Sequence, residues 1–210
     1  NKSSRKSVGE FIFGFSFLFM GLSNLKTYAP DLGANPDMLA FVQNLTDMGF
    51  ISILLFLLIG AVLTMIIQSS SATMAITLIM CTNGWIDYHL GAALVLGENI
   101  GTTVTANLAA LTGNTQARRA ALAHLMFNIF GVIWVLILFY PFTAAVSWFV
   151  TNVMHVSDPA VRVSFELSAF HTAFNICNTF VMIWFISLIE KTVCSIIKPK
   201  QEEEEYRLSY

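Results

Sequence analysis

Long apolar runs separated by short polar breaks dominate the chain. They fall at residues 11–25, 50–67, 72–81, 90–111, 120–139, 142–153 and 165–189. Crossing a bilayer takes about 20 apolar residues in a helix, and runs of roughly 10 to 14 suggest re-entrant or interfacial pieces. By that measure 72–81 and 142–153 are too short to cross. The run over 165–189 crosses with tilt, and 11–25 crosses if its helix starts near Val8. The pattern predicts an all-α integral membrane protein with helices over 120–139 and 165–190.

Charge placement refines the topology. Lys and Arg gather on the cytoplasmic side of membrane proteins. Here they gather at Lys2/Arg5/Lys6, Arg118/Arg119 and Lys191/Lys198/Lys200, while the intervening loops carry Asp31, Asp37, Asp47, Asp87 and Asp158. If 50–67 crossed and 72–81 merely continued it, Arg118 and Arg119 would land outside. If the two are arms of a re-entrant hairpin over 50–82, all three basic clusters lie inside. The run over 142–153 then lies along the outer interface, and both ends of the segment are cytoplasmic in a multi-pass protein of the cell membrane.

Composition agrees. Hydrophobic residues make up 56% and charged residues 11% of the chain, against about 25% charged in soluble domains. The net charge of −2 offers no basic surface for nucleic acid. Cys81, Cys177 and Cys194 show neither metal spacing nor a disulfide framework. The chain opens Asn1-Lys2-Ser3-Ser4 and stops in a polar run, which reads as a piece of a longer protein.

Two polar clusters interrupt the apolar runs. The first, Gln68-Ser69-Ser70-Ser71-Ala72-Thr73, sits at the hairpin's tip. Unpaired polar groups cost several kcal/mol each in hydrocarbon, so irregular backbone at that depth must be covered by protein or line a wet cavity. The serines are natural caps for the second arm. A helix N-terminus with hydroxyl donors cradles an anion without Arg or Lys. The plain alternative is a serine-rich kink bonded to its own carbonyls.

The second cluster is Gly97-Glu98-Asn99-Ile100-Gly101-Thr102-Thr103. Its two glycines predict that a transmembrane helix over 89–112 is broken there, with Thr102 and Thr103 capping the second half. Unwound carbonyls with Asn, Thr and a carboxylate are hard oxygen ligands suited to Na⁺ at a broken helix. Glu98 is an intramembrane acid and so a functional candidate; alternatively it is a protonated carboxyl hydrogen-bonded inside the bundle. Two H-x-x-F-N patterns, His124/Asn128 and His171/Asn175, place each His and its Asn on one helix face. They line the cavity or tie neighbouring helices.

QSSSAT at 68–73 followed by GENIGTT at 97–103 resembles the type II sodium/phosphate cotransporter family. GNTQARRAALAH at 113–124 is similar to its bacterial members. That resemblance covers nearly the whole chain. It implies a transporter built from two inverted-topology repeats, each with a QSSS hairpin, with phosphate between the two tips. One QSSS motif is present, so residues 1–198 look like the second repeat, half of the transporter, with the first repeat as a missing partner. The acidic stretch 199–210 resembles a cytoplasmic linker toward a PhoU-like domain.

Carried over, the resemblance implies that Gln68, Ser69, Ser70 and Ser71 contribute half of the phosphate and sodium site, and that Thr73, Asn99, Thr102 and Thr103 complete the sodium ligation or the capping. Together with the reading of the residues, the expected phosphate set is Gln68, Ser69, Ser70, Ser71, Thr102 and Thr103, and the expected sodium set is Gln68, Ser71, Thr73, Glu98, Asn99 and Thr102. Na⁺ is then the coupling ion, with no cofactor and no other metal, and a second copy of the chain is a candidate partner. The expected function is sodium-coupled transport of inorganic phosphate by a protein that is not an enzyme. Its rivals are an exporter or carrier of another oxyanion, a non-transporting sensor, and a serine hydrolase using Ser69–Ser71 with His124 or His171. No glycine flanks those serines as a nucleophile turn requires.

Overall fold

The computed structural model describes residues 2–28 and 44–199, which fall into two units, one up to Asn44 and one from Leu45 on. The linker expected over 199–210 lies outside the described residues from Lys200 on. The first unit holds helix α1, Lys2–Tyr28. Phe rings spaced four apart meet along it, Phe11 with Phe15 and Phe15 with Phe19, as i,i+4 neighbours on one face do.

The second unit carries α2 Phe50–Ile67, α3 Ser70–Thr82, α4 Tyr88–Ala110, α5 Thr115–Ile137, α6 Phe139–Asn152, α7 Pro159–Met182, a 3₁₀ turn Ile183–Phe185 and α8 Ile186–Ile196. Local chemistry sets the boundaries. The Asp87 carboxylate accepts from Leu90 N at 2.8 Å and starts α4. The Asn114 side chain accepts from Ala117 N at 2.9 Å and starts α5. Each fills an orphan donor of a first turn. Pro159 opens α7, where its missing N–H costs nothing. The ring of Pro141 collides with the carbonyl four residues back, which is Ile137, the last residue of α5. The run expected as one helix over 165–190 is instead split by the 3₁₀ turn, and α5 spans 115–137 rather than 120–139.

α4 occupies the centre and packs against α2, α3, α5 and α7. Its residues from Leu90 to Glu98 are all buried. The expected break over 97–103 does not occur: α4 is one continuous helix. Its glycines serve close approach instead of unwinding. A Cβ at Gly97 would run into the Leu57 carbonyl oxygen, one at Gly101 into Ala61 O, and one at Gly60 into Leu94 O. Small residues that let two backbones touch are how helices pack where lipid offers no hydrophobic drive.

Three helical stretches among the described residues are long and apolar enough to cross a membrane: Phe50–Ile67, Thr115–Ile137 and Val161–Ile196. Large apolar side chains on them face outward, Ile66, Ile133 and Phe180 among them. α4 is outside that set, and its protein-covered surface explains why a helix with so polar a middle is tolerated. Buried amides and hydroxyls tie the bundle. Asn178, fully buried, donates to Phe127 O at 3.0 Å and accepts from the Trp134 indole at 3.2 Å, linking α7 to α5. Asn107 of α4 donates to Ala121 O of α5 at 2.8 Å. Ser147 of α6 donates to Glu166 of α7 at 2.6 Å.

Candidate functional site

Two apolar helices, α2 and α3, join through only Gln68 and Ser69. Gln68 is left-handed at φ 57 and its backbone N–H donates to Thr64 O at 2.7 Å. A non-glycine residue held there costs about 1–3 kcal/mol. Ser69 is extended, and its hydroxyl accepts from Ala72 N at 3.3 Å, capping α3. Thr64 and Thr73 face each other across the turn with hydroxyl oxygens 3.2 Å apart. The chain thus doubles back, and the serine run forms the first turn of a helix, as its capping chemistry predicts.

The hydroxyls of Ser70 and Ser71, the Gln68 amide group and the Ser70 and Ser71 backbone N–H groups have no hydrogen-bond partner among the described residues. Gln68 and Ser71 are exposed, Ser69 and Ser70 half-buried, and Thr73 fully buried. This cluster is a set of donors at the positive end of a helix dipole, with no Lys or Arg beside it in sequence. Chemically it can receive an anion.

The second motif meets the hairpin. A Cβ at Gly91 would touch the Cys81 sulfur, and Thr77 hydrogen-bonds Glu98 at 3.0 Å. This register runs α3 antiparallel to α4. The start of α3 therefore lies beyond Glu98, on the Gly101–Thr102 side, where Gly101 packs against Ala61 and Thr64. Glu98, 2% exposed, has Thr77 as its hydrogen-bond partner.

The remaining residues of the second motif bond within α4. Asn99 donates to Val95 O, Thr102 to Glu98 O and Thr103 to Ile100 O. Thr102 and Thr103 therefore do not cap a second half-helix as expected. An unbroken α4 leaves them mid-helix, where hydroxyls turn back to their own carbonyls.

The His/Asn patterns stand apart from this cluster. Asn128 donates to the His124 carbonyl at 3.2 Å and Asn175 to the His171 carbonyl at 2.8 Å, each within its own helix, and among the described residues neither has a hydrogen bond to another helix. His124 lines a groove of about 790 Å³ between α5 and α8, with Arg119 and Glu190. Asn178, Asn107, Ser147, Thr64 and Thr77 do bridge helices, and a lone amide or hydroxyl on an apolar face is the only signal of them in the sequence.

Comparison with known proteins gives a consistent set. The family model described as Na+/Pi-cotransporter matches residues 33–156. An uncharacterized protein of Bacillus subtilis, YqeW, is 34% identical over 90% of this chain and 54% of its own length. The sodium-dependent phosphate transport protein 2C of mouse is 42% identical over 42% of the chain and 16% of its own length. A putative inorganic phosphate export protein of Escherichia coli, YjbB, is 30% identical over 71% of the chain and 26% of its own length. The chain thus spans about half the length of the first relative and far less of the other two. No solved structure gives a significant match.

Proposed function

Because the chain belongs to the Na+/Pi-cotransporter family, we propose that it supplies half of a membrane site at which inorganic phosphate is moved together with Na⁺. The observation that most supports this is the hairpin tip, where the Gln68, Ser70 and Ser71 side chains and two helix N-terminal amides have no hydrogen-bond partner among the described residues. Phosphate oxygens accept from those donors, which lie at the positive end of α3. The other half of the cradle comes from a first repeat outside this chain, whose tip approaches from the opposite side. α2 and α3 form a re-entrant hairpin, and both ends of the segment face the cytoplasm, as the basic clusters favour.

The tip has no basic side chain, so the coupling cation supplies the countercharge. Na⁺ sits among neutral oxygens near the tip, where Gln68, Ser71 and Thr73 meet the Asn99–Thr102 stretch, with Glu98 one turn behind. Transport follows as the hairpin, held to α4 through Thr77 and Gly101, shifts relative to the remaining helices.

Export of phosphate is a second reading, favoured by the likeness to a protein named as a phosphate exporter. The site chemistry is the same and the ion gradients set the direction. Phosphate flux into proteoliposomes holding the full-length protein tests both. Accumulation under an inward Na⁺ gradient, lost when choline replaces Na⁺, is expected. Equal flux in choline contradicts the coupling. Inhibition by arsenate more than by sulfate is expected for a site shaped to a tetrahedral phosphate.

A further inference from the structure

The groove of about 790 Å³ between α5 and α8 takes no part in the hairpin tip. Its walls run antiparallel. Arg119, one turn into α5, donates from Nε to Ile197 O just past α8 at 2.9 Å. Phe130 meets Phe185, just before α8, with ring centroids 5.8 Å apart. One end of the groove therefore lies at the start of α5, where the apolar run 120–139 begins. The other lies toward the middle of α5, a helix long and apolar enough to cross a membrane. From Gln116 to Phe127, both on the wall, α5 rises about 16 Å. That is close to half of a hydrocarbon core roughly 30 Å thick, the depth of one leaflet.

The two ends differ in chemistry. Toward the deep end the walls are apolar: the small Ala120 and Ala123 leave room that Phe127, Ile189 and Val193 enclose. At the mouth stand Arg118, Arg119 and Lys198. Arg118 and Ile197 line one adjoining groove, and Lys198 follows Ile197 in the chain, so the three cations gather at the end of α8. None forms an ion pair among the described residues. Arg119 commits its Nε–H to Ile197 O, which holds the guanidinium in place, and its other N–H groups have no hydrogen-bond partner among the described residues. A guanidinium fork held this way suits phosphate oxygens.

Glu190 lines the groove as well. In the antiparallel register it lies opposite 124–127, deeper than Arg119, so the mouth keeps its positive charge. A free phosphate would use the cations and leave the apolar walls without a ligand. A neutral lipid would fill the walls and leave the cations unmatched. A phospholipid of net negative charge meets both demands, and basic pockets between helices on the cytoplasmic side recognise such headgroups. Acyl chains are already in hydrocarbon before they enter the groove, so lipid offers no hydrophobic drive and the preference comes from the charge at the mouth.

We propose that this groove holds one anionic phospholipid of the cytoplasmic leaflet, the side that the basic clusters favour for this end of α5. Its phosphate rests on the Arg119 fork with Arg118 and Lys198 beside it, and one acyl chain runs along Ala120, Ala123 and Phe127. The lipid ties the start of α5 to the end of α8. Its binding is independent of whether the hairpin tip carries phosphate.

The test uses the full-length protein in phosphatidylcholine nanodiscs containing a small fraction of phosphatidylglycerol with a photoactivatable diazirine on its acyl chain. The same label on phosphatidylcholine is the comparison. After irradiation, peptide mass mapping is expected to place the phosphatidylglycerol label on 120–127 and 186–194. Its yield there should be roughly 10-fold that of labelled phosphatidylcholine, as one charged hydrogen-bonding partner supplies. This arm needs no variant to fold. Arg119→Gln is expected to bring the two lipids to about equal yield, and excess inorganic phosphate to leave the labelling unchanged. Equal yields in the unmodified protein, labels outside the groove, a preference kept in Arg119→Gln, or displacement by inorganic phosphate overturns the proposal. A groove labelled by neither lipid is covered by another part of the protein and overturns it equally. Loss of sodium-dependent phosphate flux would sink the transport reading and leave this result standing.

Discussion

Gly97 decides how closely α4 can approach α2, because its missing Cβ is the space the Leu57 carbonyl fills. Gly97→Ala forces that backbone contact apart and is expected to lower stability by about 1–3 kcal/mol, the usual range for an overpacked core. Gly14 of α1, with nothing within 4 Å of a Cβ, is the control. Gly14→Ala should be neutral or stabilising by up to about 1 kcal/mol, through helix propensity alone. Thermal unfolding of both variants in one detergent checks the contrast, and equal losses contradict the packing role.

Asn178 is the second test at this scale. Asn178→Leu removes the acceptor of the half-buried Trp134 indole N–H and the side-chain donor to Phe127 O, and should cost about 1–3 kcal/mol. The sequence exposed the polar tip and the acid at Glu98, because polar groups in apolar runs stand out. It hid the meaning of Gly97 and Gly101. Glycine in a helix reads equally as a break or as a contact, and only the partner helix distinguishes the two.

Among elements, the α2–α3 turn was the most legible. A serine run between two apolar arms carries its own capping chemistry, and Ser69 caps α3 as that chemistry requires. Ser69→Ala should destabilise the hairpin by about 1 kcal/mol, with Ser69→Asn restoring most of it. Protease protection of the turn is a suitable readout. Gln68 separates strain from function. Its left-handed backbone suits glycine, so Gln68→Gly should hold or raise thermal stability while lowering phosphate flux. A variant that loses neither would make Gln68 a mere turn residue. The ends of α5 and α7 were less legible. The Pro141 clash four residues upstream and the short 3₁₀ turn at 183–185 act locally and leave hydropathy unchanged.

At the scale of the whole molecule, a central helix covered by its neighbours carries the polar motif, while the outer helices present apolar side chains. This arrangement lets α4 keep Glu98, Asn99 and Thr103 in a bundle whose stretches Phe50–Ile67, Thr115–Ile137 and Val161–Ile196 are long and apolar enough to cross a membrane. The phosphate proposal rests on membership in the Na+/Pi-cotransporter family together with the donor-rich tip. The most direct measurement is radiolabelled phosphate binding to the full-length protein in saturating Na⁺, comparing the unmodified protein with the Ser70→Ala/Ser71→Ala double variant. Two hydroxyl donors to a charged ligand, at about 1.5 kcal/mol each, predict roughly 100-fold weaker binding with folding intact. Unchanged affinity in a correctly folded double variant would contradict the account.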